Sequence, residues 1–420
     1  MNKLMSLAKS NVVKNSIWLY ILQFANLILP LLTIPYVTRT LGAAGYGEYS
    51  IAYNWMTYFQ VIVEYGFALG GARKIAISDS LEEDNKNFSE ILTARFGLFL
   101  ISFVSINLIC IITGSSTSEY ANVMILMLIV LSVVFQANWI FQGKQQMKFI
   151  TIVNVAGRTL SVLLIFAFVK APNHVWLYCL FYSVTFIFSS AIGLAIAVKR
   201  FHLSYRLPQM KGVITAIKDN FSLFASAAIS RLFGNVGITI LGIYAIEKVV
   251  GGYSAVYKIP YIMTLFFSPI GQALYPYISK RYIKDKESAN RLLRKIAASI
   301  VCCFAFAGLI IIIFRKYIVS GFLGDEYKSY SDLILLLIPQ MLFGIVNNFL
   351  GVQSLVANGK QNVYTVCILI GVLCLVALNF LLCPFIGATG TAIAALSSEC
   401  ILTLTLLICC RKYVWRKQSV

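Results

Sequence analysis

Acidic side chains are scarce in this sequence, with 16 Asp and Glu among 420 residues, and charged residues of both signs together make up only 12%. A soluble globular chain carries about 25% charged residues, so a water-facing fold of this size is excluded. Histidine is rarer still. The two present, His174 and His202, stand in loops without partners in sequence, which leaves no histidine for proton transport. The ten cysteines include no CxxC and no Cys/His spacing, which removes zinc, iron–sulfur and dithiol chemistry and calls for no cofactor or metal. Most of them lie in apolar runs and read as small packing residues. Long polar loops are also missing. The longest stretch assigned to the outside, 315–332, has 18 residues, too few for a folded catalytic domain, and no catalytic residue is assigned.

Apolar side chains are what the chain has instead. They make up 59% of the residues, and the mean hydropathy is +0.81. A helix needs about 20 mostly apolar residues to cross about 30 Å of hydrocarbon, and twelve stretches qualify, from 17–38 and 49–69 to 363–382 and 388–410. They are too long and too uniformly apolar for barrel strands, so they are helices. The first run is too long for a signal-peptide core and no small-residue cleavage site follows it, so it too reads as a span.

The net charge of +19 suggests a nucleic-acid partner only until the cations are sorted by loop. With the N-terminus placed inside, 25 of the 35 Lys and Arg fall on the inner side, six on the outer side and four within spans. This is the positive-inside bias of a membrane protein, with lipids rather than nucleic acid as its surroundings. Both termini are expected in the cytoplasm. The basic stretch 279–295 is expected to form an interfacial helix.

The chain also repeats itself. Gly47-Glu48-Tyr49-Ser50-Ile51-Ala52-Tyr53 and Gly251-Gly252-Tyr253-Ser254-Ala255-Val256-Tyr257 share G-x-Y-S-x-x-Y at a separation of 204, and Gly143-Lys144-Gln145 matches Gly359-Lys360-Gln361 at 216. Both separations are about half the chain. Six spans per half bring both copies into the membrane from the same side, so the repeats are parallel. The expected fold is therefore an all-α polytopic membrane protein of about 12 transmembrane helices in two parallel six-helix lobes. The lobes are residues 1–198 and 221–420, joined by a cytoplasmic basic linker at 199–220.

Polar residues at helical spacing mark faces that avoid lipid. The second span carries Tyr53, Thr57, Gln60 and Glu64, and the fifth carries Thr151, Asn154, Arg158 and Ser161. The tenth carries Gln340, Asn347 and Ser354 interleaved with Gly344 and Gly351, and reads equally as glue between helices. Ions inside spans are costly, at about 2.5–3.5 kcal/mol even on the lenient scale, and mark pathways. Arg158 and Arg231 lie near mid-span, one in each half; Lys258 lies in the outer third of its span and Arg39 at the outer mouth. Desolvated cations, guanidinium forks above all, suit an anionic substrate, which makes these four the candidate substrate-binding residues. Glu64 and Glu399 are candidates to load and release a coupling proton or sodium ion. An Arg–Glu structural pair involving Glu399 stays open, and Arg95 reads as a side chain snorkelling to the inner surface.

The segment Leu29-Pro30-Leu31-Leu32-Thr33-Ile34-Pro35-Tyr36-Val37-Thr38-Arg39-Thr40-Leu41-Gly42, followed by Gly45-Tyr46-Gly47-Glu48-Tyr49-Ser50, resembles the opening of the O-antigen and polysaccharide-unit flippases. These belong to the multidrug/oligosaccharidyl-lipid/polysaccharide exporter superfamily. The second-half copy of the motif and the Gly-Lys-Gln loops are also similar. The resemblance implies a two-lobed inner-membrane protein that moves polyprenyl-diphosphate-linked oligosaccharide units from the cytoplasmic to the periplasmic leaflet by ion-coupled alternating access. Other proteins of polysaccharide assembly are then candidate partners. Two readings compete. A multidrug exporter of the same fold would line its cavity with carboxylates and aromatics. A polytopic polymerase or glycosyltransferase would need a sizeable loop or an acidic metal motif, and Glu82-Glu83-Asp84 is the only acidic run.

Overall fold

The computed structural model describes residues 2–415, with side chains from Lys14 onward. Lys3, Lys9, Arg416 and Lys417, which enter the orientation argument, lie outside the described side chains. Among the described residues there is no strand, and nine helical segments are long and apolar enough to cross a membrane. Two of these, Lys14–Ile77 with 64 residues and Gln361–Tyr413 with 53, exceed the length that one crossing needs, and both are broken partway. The eighth expected stretch, 252–276, is helical but is not among the nine, because its Tyr, Ser, Gln and Pro dilute its hydropathy.

The breaks sit where the sequence supplies glycine. Helix α1 (Asn2–Glu64) is interrupted at Gly42, with φ 68° and ψ 177°, a conformation open to glycine and strained for any residue with a Cβ. It ends at Tyr65 and Gly66, both with positive φ, before α2 (Phe67–Ile77).

By packing, the chain forms two units. One holds residues up to Thr33 together with Ala52–Arg231, and the other holds Ile34–Ile51 together with Leu232 onward. The segment 34–51, which spans the break at Gly42, therefore packs with the second unit although it lies early in the sequence.

In the first unit, α3 (Leu81–Thr113), α4 (Thr117–Phe135), α5 (Asn138–Gly143), α6 (Met147–Phe168), α7 (Val175–Phe201) and the start of α8 (Met210–Tyr244) follow one another. Helix α7 packs on α4 and α6. Phe67, Phe88, Ile91, Trp139 and Phe141 are among the residues of an apolar core at one end. The stretch between α7 and α8 is strapped to α3, with the Ser204 amide donating to Asn85 Oδ1 at 2.8 Å and the Arg206 amide to Ser89 Oγ at 3.0 Å.

Lys144 of the first Gly-Lys-Gln loop reaches the buried Asp84 carboxylate at 2.5 Å. Removing one member of a buried pair leaves an uncompensated charge. Lys144→Ala is expected to lower stability by about 2–3 kcal/mol, read as a lower melting temperature in detergent. Adding Asp84→Asn should recover much of the loss.

Arg95 does not snorkel. It is 1% exposed, and its guanidinium donates to the carbonyls of Val133 at 3.0 Å and Gln136 at 2.9 Å. Those carbonyls lie at the C-terminal end of α4, where a helix leaves acceptors without intrahelical partners and favours a cation.

The second unit contains α9 (Glu247–Lys284), α10 (Lys286–Ile313), α11 (Arg315–Leu323), a 3-10 turn (Asp325–Leu333), α12 (Ile334–Leu350), a π-helical turn (Gly351–Val356) and α13 (Gln361–Tyr413), which breaks at Ile386 and Gly387. No separate interfacial helix forms at 279–295. Asp285 accepts the Ser288 amide at 3.0 Å and caps α10 at once, so the basic residues occupy the last turns of α9 and the first turns of α10.

The leading glycines of the two copies of the repeated motif meet in this unit. A Cβ built on Gly47 would stand 1.8 Å from the Glu247 carbonyl oxygen, and one on Gly251 would stand 1.8 Å from that of Ala43. Each glycine thus presses on the residue four before its counterpart, a two-fold crossing that only residues without a side chain permit. Gly251→Leu has no room to relax, because the obstacle is backbone on both sides. Its expected effect exceeds the usual 1–3 kcal/mol of overpacking, seen as loss of the protein from the membrane fraction.

Around this crossing, Thr38 Oγ1 donates to the Leu323 carbonyl at 2.9 Å, the Tyr327 hydroxyl to the Thr38 carbonyl at 3.2 Å, and the Ala43 amide to Glu326 Oε2 at 3.0 Å. Lys248 Nζ lies 3.7 Å from Glu326 Oε1.

Candidate functional site

The ions that the sequence places inside spans fall into two groups, one per unit. In the first unit, Arg158 on α6 and Arg231 on α8 both act electrostatically on the Tyr53 hydroxyl, which hydrogen-bonds Tyr182 of α7. The Tyr53 and Tyr182 rings are 6.1 Å apart. Tyr178, Tyr182 and Phe186 follow one another at four-residue spacing along α7, with centroids 6.1 and 5.2 Å apart. The Arg158 guanidinium lies 5.8 Å from the centre of the Phe186 ring, within cation–π range. Its Nε is buried without a hydrogen-bond partner. Arg158 also lines a cavity of about 20 Å³ with Asn154, Ser189 and Ser190, room for about one water. Two cations and two phenolic hydroxyls converging in this way form a donor set suited to an anionic, oxygen-rich group.

Glu64 ends α1 beside the Tyr65–Gly66 break, where its charge acts on buried Arg95. It therefore has a structural neighbour of opposite sign.

In the second unit, Glu399 on α13 is 7% exposed. Asn347 Nδ2 donates to its Oε2 at 2.6 Å, and the Thr403 hydroxyl bonds Asn347 Oδ1 at 2.7 Å. No Lys or Arg of this unit forms an ion pair with Glu399 among the described residues. Asn347 thus holds the carboxylate, while Gln340 and Gly344, from the same stripe of the tenth span, line a cavity of about 630 Å³ with Glu399 and Tyr257. Tyr257 lines the cavity beside Gln340 and lies within electrostatic reach of Glu399.

Lys258 and Arg39 both belong to the second unit. Lys258 Nζ is 5.5 Å from the centre of the Tyr261 ring, and the exposed Arg39 guanidinium donates to the Gly321 carbonyl.

The partners of these ions are what sequence reasoning misses. Tyr53 and Tyr257 close the two copies of the repeated motif, and each stands beside the ions of its own unit. That equivalence was available from the repeat. Tyr178, Tyr182 and Phe186 were signalled only by their spacing.

The fold is that of a polytopic, all-helical membrane protein. It superimposes on the solved lipid II flippase MurJ in its inward closed conformation, with a TM-score of 0.74 and 14% identity, covering 95% of this chain and 87% of that one. An inward-facing multidrug resistance transporter of the MATE family gives a TM-score of 0.72 at 13% identity, covering 95% and 96%. At these identities the likeness is one of fold alone. Residues 12–282 match the Polysaccharide biosynthesis protein family, and the chain belongs to it. A relative in Escherichia coli (strain K12), named "Putative O-antigen transporter", is 26% identical over 409 residues, covering 96% of this chain and 98% of its own length. The chain is a multi-pass membrane protein.

Proposed function

We propose that this protein is a flippase for polyprenyl-diphosphate-linked oligosaccharide units of a surface polysaccharide. It carries them from the cytoplasmic to the periplasmic leaflet of a bacterial inner membrane, with both termini in the cytoplasm. The observation that carries this reading is the convergence of Arg158 and Arg231 on the Tyr53–Tyr182 pair, in a chain of the polysaccharide biosynthesis family. A diphosphate offers many acceptor oxygens and no donors, and guanidinium forks with phenolic hydroxyls are its chemical complement. Within this reading Lys258 and Arg39 contribute positive potential outside the pair.

Coupling rests on Glu399. Its carboxylate accepts from the Asn347 amide and forms no ion pair among the described residues of its unit, so a proton or a sodium ion can occupy the place a basic side chain would otherwise take. Glu64, already opposite Arg95, is the lesser candidate.

The test is a leaflet-accessibility assay in proteoliposomes with lipid-linked glycans. Protein-dependent, gradient-stimulated movement of an anionic lipid-linked unit is the expected result; no movement of any lipid-linked glycan rejects the reading. Drug export is the alternative that the Glu399 carboxylate and its aromatic neighbours favour. Unchanged drug susceptibility of a strain lacking the protein counts against it.

A further inference from the structure

The cavity of the second unit differs chemically from the arginine cluster of the first. Its volume of about 630 Å³ falls within the range of about 300–1,000 Å³ common to small-molecule sites. Helix α9 contributes Tyr261, Tyr275 and Gln272, α12 contributes Gln340 and Asn348, and the π-helical turn contributes Gln353. No Lys or Arg lines it among the described residues, and Glu399 is the one ionisable carboxyl.

Gln353 is the most informative of these side chains. It is 1% exposed, its Nε2 donates to the Gly271 carbonyl at 2.8 Å, and its Oε1 is buried with no partner. Gln353 thereby ties the π-helical turn to α9 in the wall of the cavity. The π-helical turn that carries Gln353 is itself a rare feature that clusters at functional sites.

Four amides, each both donor and acceptor, complement hydroxyl groups, which also do both. Tyrosine rings add flat apolar faces with a polar tip. A diphosphate finds no cation here and one opposing carboxylate. Gln353 and Gln272 each make one bond within the protein, to Gly271 and Ser268, and a lipid chain offers no partner to the amide groups that remain. A cationic amphiphile uses Glu399 but offers those groups no more.

We infer that this cavity is a glycan subsite that takes uncharged sugar residues of the translocated unit, with its wall amides meeting the sugar hydroxyls and Gln353 positioning the wall. The inference rests on the flippase reading above and adds to it a site specific for neutral sugar.

The test is saturation-transfer NMR on the purified full chain, using as probe the free oligosaccharide released by mild acid from the host's lipid-linked intermediates. Transfer to sugar ring protons is expected. It should fall about 10-fold in Gln353→Leu and several-fold in Gln272→Leu; Gln272 is exposed, so its loss does not threaten folding. Inorganic pyrophosphate should not displace the sugar. The subsite is overturned by absence of transfer, by full transfer in both variants, by displacement with pyrophosphate, or by tetraphenylphosphonium binding there in place of sugar. Translocation by the wild-type protein in proteoliposomes separates the two ideas. Movement of the lipid-linked unit without sugar transfer rejects the subsite alone, and sugar transfer without movement rejects the flippase reading.

Discussion

Proteoliposomes carrying Arg158→Ala are expected to translocate an anionic lipid-linked unit about 10–100-fold more slowly than wild type, and Arg231→Ala the same, with normal amounts of protein in the membrane. The magnitude follows from charge-assisted hydrogen bonds worth about 1.5–3 kcal/mol each. Arg158 makes no ion pair among the described residues, and its Nε is unbonded, so truncation removes a ligand group without opening a structural network. Arginine-to-lysine variants should fall between, because the charge stays while the planar fork is lost. Transport at the wild-type rate in both alanine variants would remove these residues from the site. A neutral unit moving as fast as an anionic one in the wild type would do the same.

The second large effect concerns coupling. Glu399→Gln keeps the size of the side chain and its neighbours Asn347 and Gly344 but can no longer exchange a proton or hold a cation. Its rate under an imposed proton or sodium gradient is expected to fall to the rate without a gradient, a loss of about 100-fold if the gradient supplies most of the drive. Gradient response equal to wild type would exclude Glu399 from coupling. Glu64→Gln provides the contrast. It takes a countercharge from buried Arg95, so its expected signature is lower thermal stability with the gradient response retained.

Much of this architecture is legible in sequence because the bilayer imposes long apolar runs, and in a chain with 12% charge those runs stand out. The expensive ions are legible for the same reason, Arg158, Arg231 and Glu399 among them. Their partners were not. With 29 Phe and 23 Tyr, a four-residue spacing such as Tyr178–Tyr182–Phe186 is common and carries little information until a guanidinium lies against it. Arg95 was misread because distance along a span says nothing about a neighbouring helix ending beside it, and the open carbonyls of α4 are what hold it. The split of the tenth-span stripe, with Asn347 turned to Glu399 and Gln340 lining the cavity, depends on the rotation of α12 against α13, which hydropathy does not encode.

The segment 34–51 bears on how the protein can be taken apart. The sequence repeat is spaced by about half the chain, yet the second unit is completed by a segment synthesised before the first unit is finished. A fragment beginning at residue 221 would lack the counterpart of the Gly251 crossing and the backbone groups that engage Glu326 and Tyr327. The repeat read from the sequence and the unit of packing therefore have different borders, and a cut at the middle of the chain would separate the second unit from the segment that completes it.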